Sequence, residues 1–239
     1  PSALNTILTC PLDYYYRYII QLKQDDLLEE KIEDNTLGTI VHDSLEKLYE
    51  PFLKQPLKIE NIKEVEKRLE FELNTQFLKK VKAAAEYGNH KLTYEVAKTF
   101  IQRLLDFDKS ELKKGNEIII DQLENQMSHT STIELASGEI VPVRLYGKID
   151  RIEFFNGQKR IIDYKAVQLL MYEYINNLST SEKSKTGIIS LRNISLGVLS
   201  LQAKDVKEDM ELVLKETIEN LLSEDPFTHN ERSKYCYFC

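Results

Sequence analysis

The sequence predicts an α/β (α+β) protein with a small mixed, largely antiparallel sheet flanked by helices and a helical N-terminal half. Three observations predict it. Apolar residues recur at helical spacing through residues 1–115. The texture then changes to short β-branched runs between 117 and 164, punctuated by Ser137-Gly138 and Asn156-Gly157. Helical spacing returns over 167–177 and 203–223. Helices on either side of such strands make a layered domain around one sheet.

The elements follow in order. Pro11 suits the first turn of a helix, where its missing N–H leaves nothing unpaired, and that helix carries Tyr14, Tyr15, Tyr16 and Tyr18 around Arg17. These tyrosines read as core and rim aromatics, with base stacking as the lesser reading. A second helix covers about 37–54, with Ile40, Val41, Leu45, Leu48, Tyr49 and Phe52 near helical spacing. A third covers about 60–87, with Ile62, Val65, Leu69, Leu73, Phe77 and Val81 on one side, and Gly88-Asn89 stop it. A fourth runs from about 91 to 113 and ends before Gly115. Strands are expected at 117–120, 131–135, 139–146, 148–155 and 159–164, with two more short ones within 187–200. Residues 178–187 read as a polar loop.

No repeat or Gly/Ser/Pro-rich linker divides the 239 residues, so 1–239 reads as a single domain, 1–115 mainly helical and 116–239 carrying the sheet. With 42% hydrophobic and 30% charged residues, a disordered chain is excluded. No apolar run approaches the roughly 20 residues of a membrane helix, and PSALNTILTC lacks the basic flank of a secretory signal. The expected location is cytoplasmic. The chain begins without Met, as a fragment or processed form does. Three cysteines are too few for a disulfide-dense secreted domain. A net charge of −7 argues against a surface that tracks phosphates everywhere. It is compatible with an acidic cation site beside a local basic groove.

The central strands carry the chemistry. Asp150 lies in Gly147-Lys148-Ile149-Asp150-Arg151, and Asp163 in Ile161-Ile162-Asp163-Tyr164-Lys165. A hairpin through Asn156-Gly157 would bring the two aspartates together, and the period of two puts Asp163 and Lys165 on one strand face. Carboxylates that hold Mg²⁺ beside a lysine are what metal-dependent phosphodiester hydrolysis needs. The cation polarises the phosphate and lowers the pKa of a water, while the lysine orients that water or stabilises transition-state charge. On pattern alone, an Asp and a Lys two apart on a strand are a common solvated pair. Their apolar flanks, Ile149, Ile161 and Ile162, point instead to a core strand ending in charge. Glu124, just before the central strands, reads as a solvated strand end rather than a further ligand. His90 and His129 suggest no function, and His229 reads as a surface-loop residue.

Several motifs, in order, resemble the PD-(D/E)XK nuclease superfamily, in the branch of the RecB and AddB nuclease domains. They are Leu37-Gly38-Thr39-Ile40-Val41-His42 with Leu45-Glu46, Gly147-x-Ile149-Asp150-Arg151, Ile162-Asp163-Tyr164-Lys165, and Gln168-Leu169-Leu170-Met171-Tyr172. Cys10-Pro11 followed by Tyr15, Tyr16, Arg17 and Tyr18 is similar to the opening of AddB-type domains. Ile149 replaces the Pro of the family's name, which harms no chemistry. Only Ala166 and Val167 separate Lys165 from Gln168, where the family has a longer segment, so a loop is expected to be missing after Ala166.

The resemblance implies a restriction-endonuclease-like core and a Mg²⁺- or Mn²⁺-dependent DNA nuclease. The implied activity is exonucleolytic, on DNA ends or single strands, as the nuclease part of a helicase–nuclease in double-strand-break repair. No Walker A pattern is present, so a motor would belong to a partner subunit or domain. The implied metal ligands are His42, Asp150, Asp163 and the backbone carbonyl of Tyr164. Lys165 would be the catalytic lysine, and Gln168 and Tyr172 would contact DNA or steady the site. Glu46, one turn beyond His42, either orients the ring or is solvated. Cys10, Cys236 and Cys239 match three of four ligands of an iron–sulfur cluster that staples the domain's ends, the fourth cysteine not being in this sequence. The C-x2-C spacing also suits zinc. A shared ion would require Asp150, Asp163 and a ring nitrogen of His42 within about 5 Å of one another. Without metal, the crowded carboxylates should raise a carboxyl pKa unless Lys165 offsets them. The alternative is a non-catalytic DNA-binding or scaffold domain that retains the fold.

Overall fold

The computed structural model describes residues 2–22, 34–81, 88–164, 169–179, 184–200, 206–223 and 225–231. Lys165, Gln168, Cys236, Cys239 and the proposed break after Ala166 lie outside them.

Short helices α1 (Ser2–Thr9) and α2 (Pro11–Tyr14) lead into a π-helical turn, Tyr15–Ile19. Then come α3 (Asp34–Tyr49), α4 (Ile59–Val81) and α5 (Gly88–Lys113). The sheet strands are β1 (Ile118–Glu134), β2 (Ile140–Phe155), β3 (Gln158–Asp163), β4 (Lys185–Ile189) and β5 (Val198–Ser200). Helix α6 (Leu169–Ser179) connects β3 to β4, and α7 (Val206–Leu222) follows β5. The strands lie in sequence order. The β3–β4 pair is parallel and the other three pairs are antiparallel, so the sheet is mixed as expected. A parallel neighbour needs a crossover, and α6 supplies it.

Each face of the sheet has its own core. Ile40, Val41, Leu45 and Leu48 of α3 join Ile62 and Leu73 of α4, Ile101 and Leu104 of α5, and Ile118, Ile120 and Ile162 of the sheet. On the other face, Met171, Tyr172 and Ile175 of α6 and Met210 and Leu214 of α7 pack on Ile133, Leu145, Ile149 and Ile161. The consecutive residues Ile161 and Ile162 thus enter opposite cores, as strand alternation requires.

The strand boundaries differ from expectation. The expected runs 117–120 and 131–135 are parts of one 17-residue strand, β1. Those at 139–146 and 148–155 merge through Gly147 into β2. The polar stretch of β1 shows no apolar alternation, and its pairing with β2 from Ile118↔Phe155 to Glu134↔Ile140 makes it strand. Asn156 (φ 50°) and Gly157 (φ 77°) both adopt the left-handed backbone of a two-residue hairpin between β2 and β3.

The two ends of the described chain meet. Leu12 N–H donates to Thr228 O (3.3 Å), Asn230 Nδ2 donates to Thr9 O (2.8 Å), and the Tyr15 and Phe227 rings stack at 5.1 Å. Cys10 is buried beside this contact. Tyr16 and Tyr18 are exposed and Tyr14 and Tyr15 half-buried, so all four are rim residues. His229 is exposed, as a surface-loop residue should be.

Candidate metal centre

Helix α3 presents His42 to the sheet because its neighbours cannot face elsewhere. Ile40, Val41, Leu45 and Leu48 are all buried. Each such side chain contributes about 1.5–3 kcal/mol of burial, which fixes the helix's rotation. The imidazole meets the Tyr164 ring edge-on at 5.3 Å.

Strands β1 and β2 supply the acids. The register pairs Leu123 with Arg151 and Asn125 with Ile149, which sets Glu124 directly opposite Asp150. Glu124 holds φ 48°, a left-handed conformation inside a strand that costs on the order of 1 kcal/mol. At the same level β2 departs from strict alternation. Ile149 packs into the α6/α7 core, whereas Arg151 reaches Asp108 of α5. The distortion leaves both Glu124 and Asp150 directed at α3.

His42 Nδ1 lies 3.0 Å from Glu124 Oε1 and 3.0 Å from Asp150 Oδ1. Asp150 Oδ2 accepts the Tyr164 backbone N–H at 2.8 Å, which holds the carboxylate's orientation. Lys148 Nζ pairs with Glu124 Oε2 at 2.8 Å. One ligand atom from each of His42, Glu124 and Asp150 falls within 4.8 Å of the others. An imidazole nitrogen and two carboxylates this close suit a divalent ion whose ligand bonds are about 2.0–2.2 Å long.

Electrostatics tie the group together. Burial alone would lower the pKa of His42, but hydrogen bonds and charge from Asp150 and Glu124 override it, and the imidazole is pushed up to about 10. Burial pushes the Glu124 carboxyl up, yet His42 and Lys148 together hold it below its usual range. The expected carboxylate repulsion is thus offset at Glu124 by a protonated imidazole and by Lys148. A divalent ion entering the site would displace the Nδ1 proton.

The other expected residues sit as follows. Asp163 is buried at the end of β3, one residue past the last β2–β3 pair, Arg151↔Ile162, and is not one of the three groups in the tight cluster. Tyr172 is buried and donates its hydroxyl to Lys148 O at 2.5 Å, so it supports β2 from the α6 side. Burial raises the Tyr172 phenol pKa, which keeps the donated proton in place. Glu46 is half-buried on α3, and its charge acts on Lys148.

Glu124 corrects the sequence reading. It is not a solvated strand end: its side chain is 6% exposed and inside the cluster. Lys148, for which the sequence reading gives no role, also acts at the site as the partner of Glu124. No local pattern marks Glu124, because it belongs to the polar stretch of β1 and acquires its place from the β2 register. The available signal was Lys148, whose place two residues before Asp150 puts a cation on the same strand face.

A family model described as the PD-(D/E)XK nuclease superfamily matches residues 1–239. No curated protein matches the chain. The mixed five-stranded sheet between helices is the architecture expected of a restriction-endonuclease-like core.

Proposed function

The chain belongs to the PD-(D/E)XK nuclease superfamily, and from that premise we propose that it is a Mg²⁺- or Mn²⁺-dependent deoxyribonuclease. The observation that carries the proposal is the convergence of His42, Glu124 and Asp150 from α3, β1 and β2. The mixed nitrogen and oxygen donors favour Mn²⁺ more than a purely oxygen set would. When bound, such an ion supplies Lewis acidity at the phosphate and a more acidic water for attack on phosphorus. Hydrolysis forms a bond from water oxygen to phosphorus, breaks the P–O ester bond and leaves a phosphate and a hydroxyl.

The protein's own residues prepare that step. His42 would hold the ion through Nδ1 once that nitrogen is deprotonated. Tyr164 N–H fixes Asp150, and Lys148 stabilises Glu124 as a carboxylate. By the family resemblance, Asp163 and the Tyr164 carbonyl complete the ligand set. By the same resemblance, Lys165 would orient the water or stabilise phosphorane charge, and Gln168 would contact DNA or steady the site. We take residues 1–239 as one nuclease domain, acting in the cytoplasm as an exonuclease on DNA ends within an AddB/RecB-like helicase–nuclease for break repair. No helix among the described residues is long and apolar enough to cross a membrane. The contact between residues 225–231 and the α1/α2 region supports a terminal staple, with Cys10 buried at the junction and Cys236 and Cys239 following in sequence.

The test is incubation of the protein with linear single-stranded DNA and Mn²⁺, alongside Asp150→Asn and Lys165→Ala. We expect metal-dependent product from the wild type alone. Product no greater than that of the variants would replace the nuclease with a DNA-binding scaffold.

A further inference from the structure

Beyond β3, residues 125–134 of β1 and 140–149 of β2 continue as a two-stranded ribbon. Its alternation is regular. Leu145 and Ile149 are buried in the α6/α7 core, and Val141 and Val143 pack against it. The even-numbered residues Arg144, Tyr146 and Lys148 are exposed. Cross-strand pairing sets Gln126 beside Lys148 and Ser128 beside Tyr146. The same face continues to the next pair, Glu124 and Asp150, so it runs directly into the metal cluster, with Lys148 as the join.

This face lines a groove of about 490 Å³ formed by Arg144, Tyr146, Lys148, Gln126, Ser128 and Ser2, with Met127 and Gly147. None of these lining residues is acidic, although the chain carries a net charge of −7. Tyr146 is 63% exposed between two cations on the same strand face. Two strand residues span about 6.8 Å, so the Arg144 and Lys148 Cα atoms stand about 13–14 Å apart with that of Tyr146 between them. An exposed aromatic beside an exposed arginine suits an unpaired base on the ring and a phosphate on Arg144, Lys148 being paired with Glu124. A duplex keeps its bases stacked on one another and has no such use for Tyr146.

We propose that the even-numbered face of this ribbon is the entry track for single-stranded DNA. Tyr146 stacks on an unpaired base and Arg144 holds a backbone phosphate, which leads the strand past Lys148 to His42, Glu124 and Asp150. The proposal rests on the nuclease reading and adds to it the path of the strand and two substrate-binding residues.

The test is fluorescence anisotropy of a labelled oligothymidine with the full chain in EDTA, where no cleavage occurs. Tyr146→Ala should weaken binding about tenfold, a typical loss for one base stack, and Tyr146→Phe should stay within about twofold of wild type. Arg144→Gln should lower the salt slope of log K by about 0.7, the value for one phosphate contact on a single strand. Binding of a blunt duplex should not change in Tyr146→Ala. Unchanged oligothymidine binding by Tyr146→Ala, or equal losses on oligothymidine and duplex, would overturn the track. Mn²⁺-dependent cleavage by wild type against Asp150→Asn is read separately. Cleavage with no ribbon effect removes the track and keeps the nuclease, whereas the expected binding pattern without cleavage keeps the track and removes the nuclease.

Discussion

Asp150 and Arg151 are consecutive residues of β2, yet they enter two charge clusters of opposite design. Asp150 joins His42, Glu124 and Lys148 at a partly open site, where the His42 side chain is 15% and that of Lys148 49% exposed. Arg151 is 1% exposed. It pairs with Asp108 (2.8 Å) and Glu153 (2.5 Å) and sits over the Tyr49 ring at 5.4 Å. Tyr49 donates to Asp108 at 2.6 Å, and Arg160 also pairs with Glu153. In the buried cluster two permanent cations meet two carboxylates. In the open cluster one of the two cations is an imidazolium, which can lose its proton. A site that exchanges a proton for a divalent ion needs a titratable cation, whereas a buried anchor needs one that never titrates, and arginine meets that need.

Arg151→Ala should have the largest effect. Asp108 and Glu153 would be left buried beside the missing guanidinium, and breaking a buried pair from one side costs about 3–5 kcal/mol. Urea unfolding should show that loss. An unchanged midpoint would mean that the cluster is no anchor.

Asp150→Asn acts on the other side of the contrast. Cleavage should fall about 10³-fold, equivalent to about 4 kcal/mol of barrier. Stability in EDTA should change by much less than in Arg151→Ala. If unfolding and cleavage changed together in both variants, the two clusters would be one structural unit.

In metal-free protein, stability should depend on pH through His42. The folded pKa of His42, about 10, lies above the unfolded value near 6.5. Its contribution to stability is therefore fully present below pH 6.5 and is lost as pH rises through about 10. Urea midpoints in EDTA should fall between pH 7 and pH 10, and His42→Asn should flatten that fall. Metal affinity should run the opposite way and increase with pH, because binding releases the imidazole proton. A wild-type midpoint that does not vary over this range would show that His42 is not the titrating cation.

The smallest expected effect belongs to Tyr172→Phe, which removes the hydrogen bond to Lys148 O. It should cost about 0.5–1.5 kcal/mol of stability and reduce turnover a few-fold. Oligothymidine binding in EDTA should be unaffected, because the phenol is buried. A binding defect equal to the turnover defect would make Tyr172 a DNA contact.

Much of this was legible in the sequence. Helical periodicity located α3, α4, α5 and α7, because each buries one stripe and exposes the other. Asn156-Gly157 announced the β2–β3 hairpin, since both positions require a left-handed backbone. That hairpin pairs Arg151 with Ile162, the residues next to Asp150 and Asp163. Local chemistry along the chain therefore determined the helices, the hairpin and two of the acids. Tertiary structure decided the role of Glu124 and the lengths of β1 and β2. A polar strand segment carries no periodic signal, and its partner's register, more than twenty residues away, settles both its conformation and its face. Tertiary structure alone likewise set the protonation of His42. An imidazole's charge is not a property of its own residue but of the carboxylates that long-range folding places 3.0 Å from its Nδ1.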